Sequence, residues 1–441
     1  MSKVQAGYKS TKLRDIPEDW EIVSLADVAD PNKHYALTGG PFGSDLKSEE
    51  YTESGIRIIQ LQNIKEGYFS NGYKIYTSEE KANQLFNCNI FPNDIIIAKM
   101  AEPVARACII PNLHERYLMA SDGIRLAVNK EDYSTKYVMY AVNSSYFRKQ
   151  AVENSTGTTR LRIGLKTLKG LKLLKPSKKE QQKIATILSV VDKDIEKTEA
   201  IIEQTEKVKK ALMQQLLTKG IGHTKFKKTE IGEIPEAWEL VQIQDIGTLK
   251  SGTTPSRSEQ ERYFESGTIP WIKTMDLNNG EVISTNERIT DVALEETSLT
   301  LLPVNTVLVA MYGGFKQIGR TGILKVKATI NQALTGIIVN EILINPYYLQ
   351  WWLNAKIDYW KNFAASSRKD PNITKGDVLK FPVVLPTLSE QKKIVDILSS
   401  VNRKIENEMK KLSQLQGLKE GLIQSLLTGK VRVRVDETEV I

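Results

Sequence analysis

Residue types that bind metals or act as nucleophiles are scarce and widely separated in this sequence. Two cysteines, Cys88 and Cys108, and three histidines occur among 441 residues. Two thiols are too few for a disulfide framework or a four-thiolate zinc site, and His34, His114 and His223 show no metal-ligand spacing. No Ser/His/Asp or Cys/His arrangement is evident. We therefore predict no metal site and no catalytic residue in this chain.

One short segment has the composition of a catalytic motif. Asn345 to Tyr348 reads Asn-Pro-Tyr-Tyr and resembles the Asn-Pro-Pro-Tyr active site of adenine methyltransferases, but the second proline is missing. The corresponding segment in the other half of the chain, residues 134–137, contains nothing similar. Because proline is favoured in the first turn of a helix, we interpret Asn345 to Tyr348 as a helix start.

A group of glycines is the other candidate for a ligand-binding loop. Gly313, Gly314, Gly319 and Gly322 lie close together, but their spacing is not Gly-x-Gly-x-x-Gly. No acidic residue that could bind a ribose follows in a βαβ unit. A turn, or a loop that approaches a nucleic-acid backbone, is the better interpretation. The sequence also lacks a Walker A motif, so we do not expect ATP-driven translocation from this chain.

The charge is distributed unevenly along the chain. The net formal charge is +8, yet residues 220–385 carry equal numbers of acidic and basic side chains. The segment between Glu153 and Glu180 has no acid and eight Lys or Arg. It is either a solvated linker and helix entry or a surface that contacts a polyanion. No stretch approaches the roughly 18 apolar residues that cross a bilayer, and the N-terminus is polar. A soluble cytoplasmic protein that does not contact a membrane is therefore expected.

An internal repeat organises the chain. Pro176 to Glu196 returns as Pro386 to Glu406, and the same offset relates residues 211–218 to residues 421–428. A second match opens each half, where Ile-Pro-x-x-Trp-Glu begins at Ile16 and again at Ile234. Repeats of this kind indicate duplicated structural units. The predicted order is globular domain, helix, globular domain, helix.

The interiors of the two globular segments resemble each other weakly. Ile59 to Gly67 is similar to Ile272 to Gly280, and both segments have short β-branched runs bounded by Gly, Pro and Asn. The predicted fold class is α+β, with two similar mixed α/β domains separated by an antiparallel two-helix coiled coil of pseudo-twofold symmetry. The predicted boundaries are residues 1–175 and 221–385 for the domains, 176–220 and 386–430 for the helices, and 431–441 for a tail.

The repeated segments have the apolar periodicity of a coiled coil. Alternating steps of four and three residues from Ile184 and from Ile394 select mostly apolar positions. Ser177 and Thr387 stand three residues before Glu180 and Glu390, which is a capping-box spacing. Two unrelated amphipathic surface helices are the alternative. The predicted seam consists of Ile184, Leu188, Val191, Ile195, Leu212, Leu216, Ile394, Leu398, Val401, Ile405, Leu422 and Leu426.

Chain geometry predicts the direction of the helix pair. A helix of about 41 residues is about 61 Å long, whereas a domain of roughly 150 residues has a radius of gyration near 15 Å. Parallel helices would require the second domain to place its two ends about 60 Å apart. We therefore expect an antiparallel pair, with Ile184 near Leu422 and Leu212 near Ile394.

With these motifs in order and in duplicate, the chain resembles the specificity (S) subunit of Type I restriction–modification systems. The resemblance rests on the two helix starts at Pro176 and Pro386, the openings at Ile16 and Ile234, and early motifs at residues 39–51 and 251–264. It implies two target-recognition domains that each bind half of a split DNA sequence with an unread spacer. It also implies two methyltransferase (M) subunits and restriction/translocase (R) subunits as partners. S-adenosylmethionine, Mg and ATP are then expected in the partners only, and no cofactor in this chain.

We expect the DNA contacts to come from polar or basic side chains on loops between strands, because phosphate contacts position a protein and base contacts specify the sequence. The neutral second domain suggests that partner subunits supply much of the non-specific affinity. A self-contained adenine-N6 methyltransferase and a protein-binding coiled-coil adaptor with degenerate DNA-binding domains remain alternatives. The candidate DNA-binding residues are Lys47, Gln62, Asn63, Lys99, Arg106, Arg160, Arg162, Arg257, Lys273, Lys316, Gln317, Arg320, Arg368 and Lys369.

Overall fold

The computed structural model describes residues 6–11, 13–100, 102–314, 317–360 and 372–435. The chain forms two compact units, of which the first comprises Met1–Glu199 with Lys410–Ile441 and the second Ala200–Met409. Each unit contains one globular domain and part of both long helices. The first long helix spans Lys178–Lys219 and the second long helix spans Leu388–Leu426.

Two sheets form the globular domain of the first unit. One is antiparallel, with strands in the order Ala107–Ile109, Ile95–Ala98, Gly123–Leu126 and Leu37–Gly39. The other has the order Tyr51–Thr52, Ile75–Thr77, Ile56–Ile59, Tyr117–Met119 and Asn89–Ile90, with one parallel pair. Helices cover Leu25–Val28, Glu79–Gln84, Thr135–Asn143, Ser145–Glu153 and Leu165–Gly170, with short 3-10 turns at Ser48–Glu50 and Phe86–Cys88. Further strands are Tyr8–Lys9, Ile16–Pro17, Glu21–Ser24 and Lys172–Lys175.

The second unit has a domain of the same kind. Its main sheet has the order Gly247–Ser251, Leu334–Val339, Val307–Ala310, Thr321–Leu324 and Glu281–Val282. A smaller sheet has the order Arg288–Ile289, Ile269–Ile272 and Thr329–Ile330. Helices cover Ile243–Ile246, Gln260–Tyr263, Asp291–Glu296, Pro346–Ala355 and Lys375–Leu379, with 3-10 turns at Arg257–Glu259 and Thr274–Asp276. Further strands are Phe226–Thr229, Gly232–Pro235, Glu239–Gln242 and Pro382–Leu385.

Buried apolar strands form the centre of each domain. Ile95–Ala98 and Val307–Ala310 are buried at every position, because both faces of these strands are covered. An antiparallel strand pair then leads directly into each long helix. Leu173 pairs with Val23 in the first unit, and Val383 pairs with Val241 in the second.

The long helices begin at the predicted caps. The Ser177 hydroxyl accepts from the Glu180 backbone N–H at 3.3 Å, and Thr387 accepts from the Glu390 N–H at 3.4 Å. The first long helix has 42 residues, which corresponds to about 63 Å. All twelve predicted seam residues are buried or half-buried. The seam is therefore the packed face of both helices.

The helices pack antiparallel in the first unit. Ile184 and Leu188 share a core with Leu426 and Leu427, and Leu422 packs against that core. Further along, the Lys419 ammonium forms an ion pair with Asp192 at 2.5 Å. Residues further along the first long helix therefore contact residues with lower numbers on the second long helix.

The second unit shows the same direction. Leu216 and Leu217 share a core with Ile394 and Leu398, and Lys209 donates to the Asn402 side chain at 2.5 Å. The predicted fold class and the antiparallel coiled coil are both confirmed.

The two segments that resemble catalytic motifs have structural roles. The Asn345 side chain caps the helix Pro346–Ala355 by accepting from the backbone N–H groups of Tyr347 and Tyr348 at 2.9 and 3.3 Å. Gly319 has a φ of +74°, and a Cβ there would meet the Trp360 ring at 2.2 Å. Gly319 thus lies in a turn packed on Trp360, whereas Gly322 lies in the strand Thr321–Leu324.

Neither a metal site nor a membrane span is found in the described ranges. Over those residues, His, Cys, Asp and Glu side chains form no group of three or more that could bind a metal ion. Each helix in the same ranges is too short or too polar to cross a lipid bilayer.

Candidate DNA-recognition surface

In the first unit, a buried carboxylate attaches the globular domain to the first long helix. Glu180 accepts from the Trp20 indole N–H at 3.1 Å and from Arg432 at 2.8 and 3.0 Å. Arg432 also donates two hydrogen bonds of 2.8 Å to Asp19. The Glu180 carboxylate therefore joins the domain opening, the helix start and the C-terminal tail.

The second unit repeats this arrangement with a histidine in place of the arginine. Glu390 accepts from the Trp238 indole N–H at 3.0 Å and from the Ile221 backbone N–H at 2.9 Å. The His223 ring lies 2.9 Å from the same carboxylate, where Arg432 stands in the first unit. The repeated Trp and Glu of the sequence are thus partners in space.

The glutamine after each of these glutamates makes a second attachment. Gln181 accepts from the Ser134 backbone N–H at 3.0 Å, and Gln391 accepts from the Asn345 N–H at 2.7 Å. Both amides also donate to backbone carbonyls within their own units. Each Glu-Gln pair therefore fixes the orientation of its globular domain on the helix that follows it.

A short turn at the end of a central strand is the first candidate contact surface. In the first unit this turn comprises Gln60–Asn63, and the Asn63 side chain accepts from the Gln60 N–H at 3.0 Å. The same amide donates to the carbonyls of Ser70 and Tyr73 at 2.9 and 2.8 Å. Asn63 is fully buried. The polar atoms of Asn63 therefore hold the turn together in this structure, and a DNA contact by Asn63 stays a prediction.

Arg106 also supports this turn. Its guanidinium donates to the Leu61 carbonyl at 2.7 Å and to the Glu102 carbonyl at 3.1 Å. These bonds direct the half-buried side chain at backbone oxygens, and a DNA contact by Arg106 stays a prediction. Gln62, by contrast, is exposed at the tip of the turn.

A cleft beside the turn is lined by Phe42, Gln62 and Asp122, among other residues. Arg162 binds Asp122 at 2.6 Å, and the Lys99 ammonium donates to the Ser121 carbonyl at 2.9 Å. Burial lowers the pKa of Lys99, although Asp122 opposes that effect. The structure thus brings Gln62, Lys99 and Arg162 to one side of the domain. Lys47 and Arg160 are exposed on loops.

In the second unit, two of the predicted DNA-binding residues, both cationic, lie around one carboxylate. Glu287 binds Arg257 at 2.9 Å and Lys273 at 3.2 Å. Burial raises the pKa of Glu287, but the hydrogen bonds from Arg257 and Lys273 outweigh it and keep that pKa below its ordinary value. Arg257 also lies over the Phe264 ring at 4.2 Å, a cation–π contact. Both cations therefore have fixed positions near the turn Thr274–Asp276.

The remaining predicted residues of the second unit differ in their surroundings. The Gln317 amide contacts the Met275 sulfur at 3.4 Å. Arg320 is half-buried, and its side chain makes no hydrogen bond with the part of the chain that the structure describes. Lys316, Arg368 and Lys369 lie outside the described residues.

Sequence reasoning missed two exposed apolar side chains near these turns. Phe42 is 81% exposed beside the cleft of the first unit, and Met275 is 71% exposed on the turn of the second. The sequence similarity between Ile59–Gly67 and Ile272–Gly280 aligns Met275 with Gln62, and this alignment could have identified Met275 as a candidate. Restricting the candidates to polar and basic residues excluded Met275.

The comparisons with known proteins agree with this duplicated arrangement. The model of the family described as Type I restriction modification DNA specificity domain matches residues 17–207 and 235–416. The chain is 27% identical over 450 residues to the putative type I restriction enzyme MjaX specificity subunit of Methanocaldococcus jannaschii, with 98% of each chain covered. The MjaIX specificity subunit of the same organism is 26% identical, covering 97% of this chain and 96% of the relative.

A solved structure shares the fold. The crystal structure of the Type I restriction–modification system S subunit from M. genitalium superposes with a TM-score of 0.58 at 17% identity, covering 96% of this chain and 97% of that chain. The family model matches twice, once over each half of the internal repeat, and together the matches include most of the chain. The prediction of a specificity subunit is confirmed: the chain belongs to the Type I restriction modification DNA specificity domain family.

Proposed function

We propose that this chain recognises an asymmetric, bipartite DNA target and positions catalytic partners on it. Each globular domain would bind one half of the target, and the bases between the halves would not be contacted. One observation carries this proposal: the same Trp, Glu and Gln contacts attach each of two similar domains to its own long helix. Attachment at fixed orientation suits two DNA-binding domains that must act in register.

In this proposal the reactions belong to the partners. Two M subunits would methylate adenine with S-adenosylmethionine, and R subunits would use ATP and Mg. The segment that resembles a methyltransferase motif is used here to cap a helix, and Gly319 packs on Trp360. These roles favour a non-catalytic recognition subunit over a self-contained methyltransferase. We place the complex in the cytoplasm, where it would meet DNA.

The long helices are the proposed docking surface for the M subunits. Val190 and Leu418 are exposed on the helical part of the first unit, and Val208 and Met409 are exposed in the second. Apolar side chains on the outer face of a packed helix pair are available to bind a partner helix. The basic run between Glu153 and Glu180 adds cations at the entry to the first long helix, where they would contact DNA phosphates.

Co-expression with the M subunit of its own system tests this function. Genome-wide mapping of N6-methyladenine should reveal one split motif with two different halves and a fixed unread spacer. The chain purified alone should methylate nothing, and methylation without a partner would instead support the self-contained methyltransferase. A complex that forms without any split motif would support the protein-binding adaptor.

A further inference from the structure

The turns Gln60–Asn63 and Lys273–Asp276 are equivalent structures in the two units. Each follows a strand that has a parallel neighbour, Ile56–Ile59 in the first unit and Ile269–Ile272 in the second. In each, the fourth residue accepts a hydrogen bond from the backbone N–H of the first. These distances are 3.0 Å for Asn63 and 2.7 Å for Asp276. The third residue of each turn, Gln62 or Met275, therefore occupies the same position.

That third position is exposed in both units and carries different chemistry. The Gln62 side chain makes no hydrogen bond with described residues, so its amide is free to donate and accept. Met275 is 71% exposed, and its sulfur contacts the Gln317 amide at 3.4 Å. A rigid turn with a variable, outward tip is suited to contact base edges, because the backbone stays fixed while the side chain changes.

Cations lie beside both tips. The cleft that Gln62 lines shares Pro41, Phe42 and Ser121 with a second cleft, which is lined by Lys99 and Arg162. In the second unit, Lys273 is part of the turn, and Glu287 binds it together with Arg257. DNA-binding surfaces typically combine cations that bind phosphates with a few side chains that reach bases. The surroundings of both tips have this composition.

We propose that residues 62 and 275 are equivalent specificity-determining residues, one for each half of the DNA target. Gln62 would form a pair of hydrogen bonds with the major-groove edge of an adenine, and Met275 would pack against the 5-methyl group of a thymine. The different side chains at one structural position would make the two half-sites unequal. This inference rests on the proposed function.

Exchanging the two side chains tests the inference. Gln62→Met and Met275→Gln are each co-expressed with the M subunit, and N6-methyladenine is mapped genome-wide. Gln62→Met should weaken the preference at one base pair of one half-site about tenfold, because the paired hydrogen bonds are lost. Met275→Gln should change one base pair of the other half-site. The spacer and the remaining bases should stay as in the wild type.

Two matched substitutions serve as controls, and failure of the inference can be distinguished from failure of the proposed function. Val152→Gln and Ile342→Gln alter exposed apolar residues away from the turns and should leave the motif unchanged. A wild-type motif in both exchange variants would overturn the inference. Complete loss of methylation would also overturn it, if the variant has the wild-type melting temperature and still copurifies with the M subunit. If the wild type itself gave no split motif, the proposed function would fail instead.

Discussion

At the scale of single residues, Arg432 and Glu180 show how the tail contributes to the first unit. The Glu180 side chain is 2% exposed, and Arg432 is the cation that binds it. Arg432→Ala should lower the free energy of unfolding by about 2 kcal/mol, less than for a fully buried pair because Arg432 is 41% exposed. Urea unfolding measures this effect. Arg434→Ala, an exposed neighbour, is the control and should change little.

The same contact makes this stability depend on pH. The hydrogen bond from Arg432 lowers the pKa of Asp19 below its ordinary value, although burial opposes the shift. A carboxylate with a depressed folded-state pKa contributes stability above its unfolded pKa and loses that contribution as the pH falls through its folded pKa. The difference between wild type and Arg432→Ala should therefore shrink below about pH 4. An equal difference at about pH 6 and about pH 3 would contradict the assignment.

Asn63 and Gln62 are neighbours with separable roles. Asn63→Ala removes the partner of three backbone groups and should cost about 1–3 kcal/mol of stability. Gln62→Ala removes an exposed side chain and should change stability by less than about 0.5 kcal/mol. Melting temperatures of both variants check this difference. Equal melting temperatures would show that the Asn63 hydrogen bonds do not hold the turn.

The roles of these two residues also show why loop contacts could not be predicted from the sequence. Arg106 looked available for DNA, yet its guanidinium binds the Leu61 carbonyl, 45 residues away in the chain. Only the folded domain brings these two groups together. Polarity alone indicated that Gln62, Asn63 and Arg106 could bind DNA, but it could not show which of them face inward.

At the scale of elements, the long helices were the most predictable part of the molecule. Their apolar positions recur every 3.5 residues, so the buried face follows from local periodicity. The lysines at positions 209 and 419 interrupt this pattern at equivalent points. Lys419 forms an ion pair with Asp192, whereas Lys209 binds neutral Asn402 and lies over the Trp351 ring.

This difference between equivalent lysines predicts different effects of two substitutions. Asp192→Asn should destabilise the chain by about 1 kcal/mol, because Lys419 loses its anion and the Tyr140 hydroxyl loses a charged acceptor. Asn402→Asp should give no comparable gain, because the Asn402 amide donates to the Glu406 carboxylate at 2.6 Å and a second carboxylate there would repel it. Thermal unfolding of both variants measures the two effects.

Neighbouring exposed positions provide matched controls for these substitutions. Asp194→Asn and Asn407→Asp make the same chemical changes on the same helices at exposed sites. Both should leave the melting temperature nearly unchanged. If the controls shifted it as much as the variants do, net charge rather than the lysine contacts would be responsible.

At the scale of the whole molecule, duplication determines the organisation of the chain. The repeated motifs of the sequence become contacts: Trp20 with Glu180, and Trp238 with Glu390. The antiparallel direction followed from helix length and domain size, which are properties that a sequence supplies. The sheet order within each domain did not follow, because strand pairing depends on contacts between distant segments. The parallel pairing of Ile56–Ile59 with Tyr117–Met119 is one example.

The proposed function predicts that helix length sets the unread spacer of the DNA target. Seven residues inserted after Glu199, with a matched insertion after Met409, lengthen each helix by about 10.5 Å and preserve the seam phase. At about 3.4 Å per base pair, the spacer should grow by about three base pairs, with both half-sites unchanged. Mapping N6-methyladenine after co-expression with the M subunit measures the spacer directly.

A five-residue insertion at the same two points is the control for this prediction. Five residues rotate the helix by about 140° beyond a whole turn, so apolar positions such as Ile202 and Leu412 would no longer face the partner helix. This variant should lose stability and methylation together, whereas the seven-residue variant keeps both. Altered half-sites with an unchanged spacer in the seven-residue variant would show that the helices do not set the spacing. In that case the loops of the two domains would have to determine where each half-site begins.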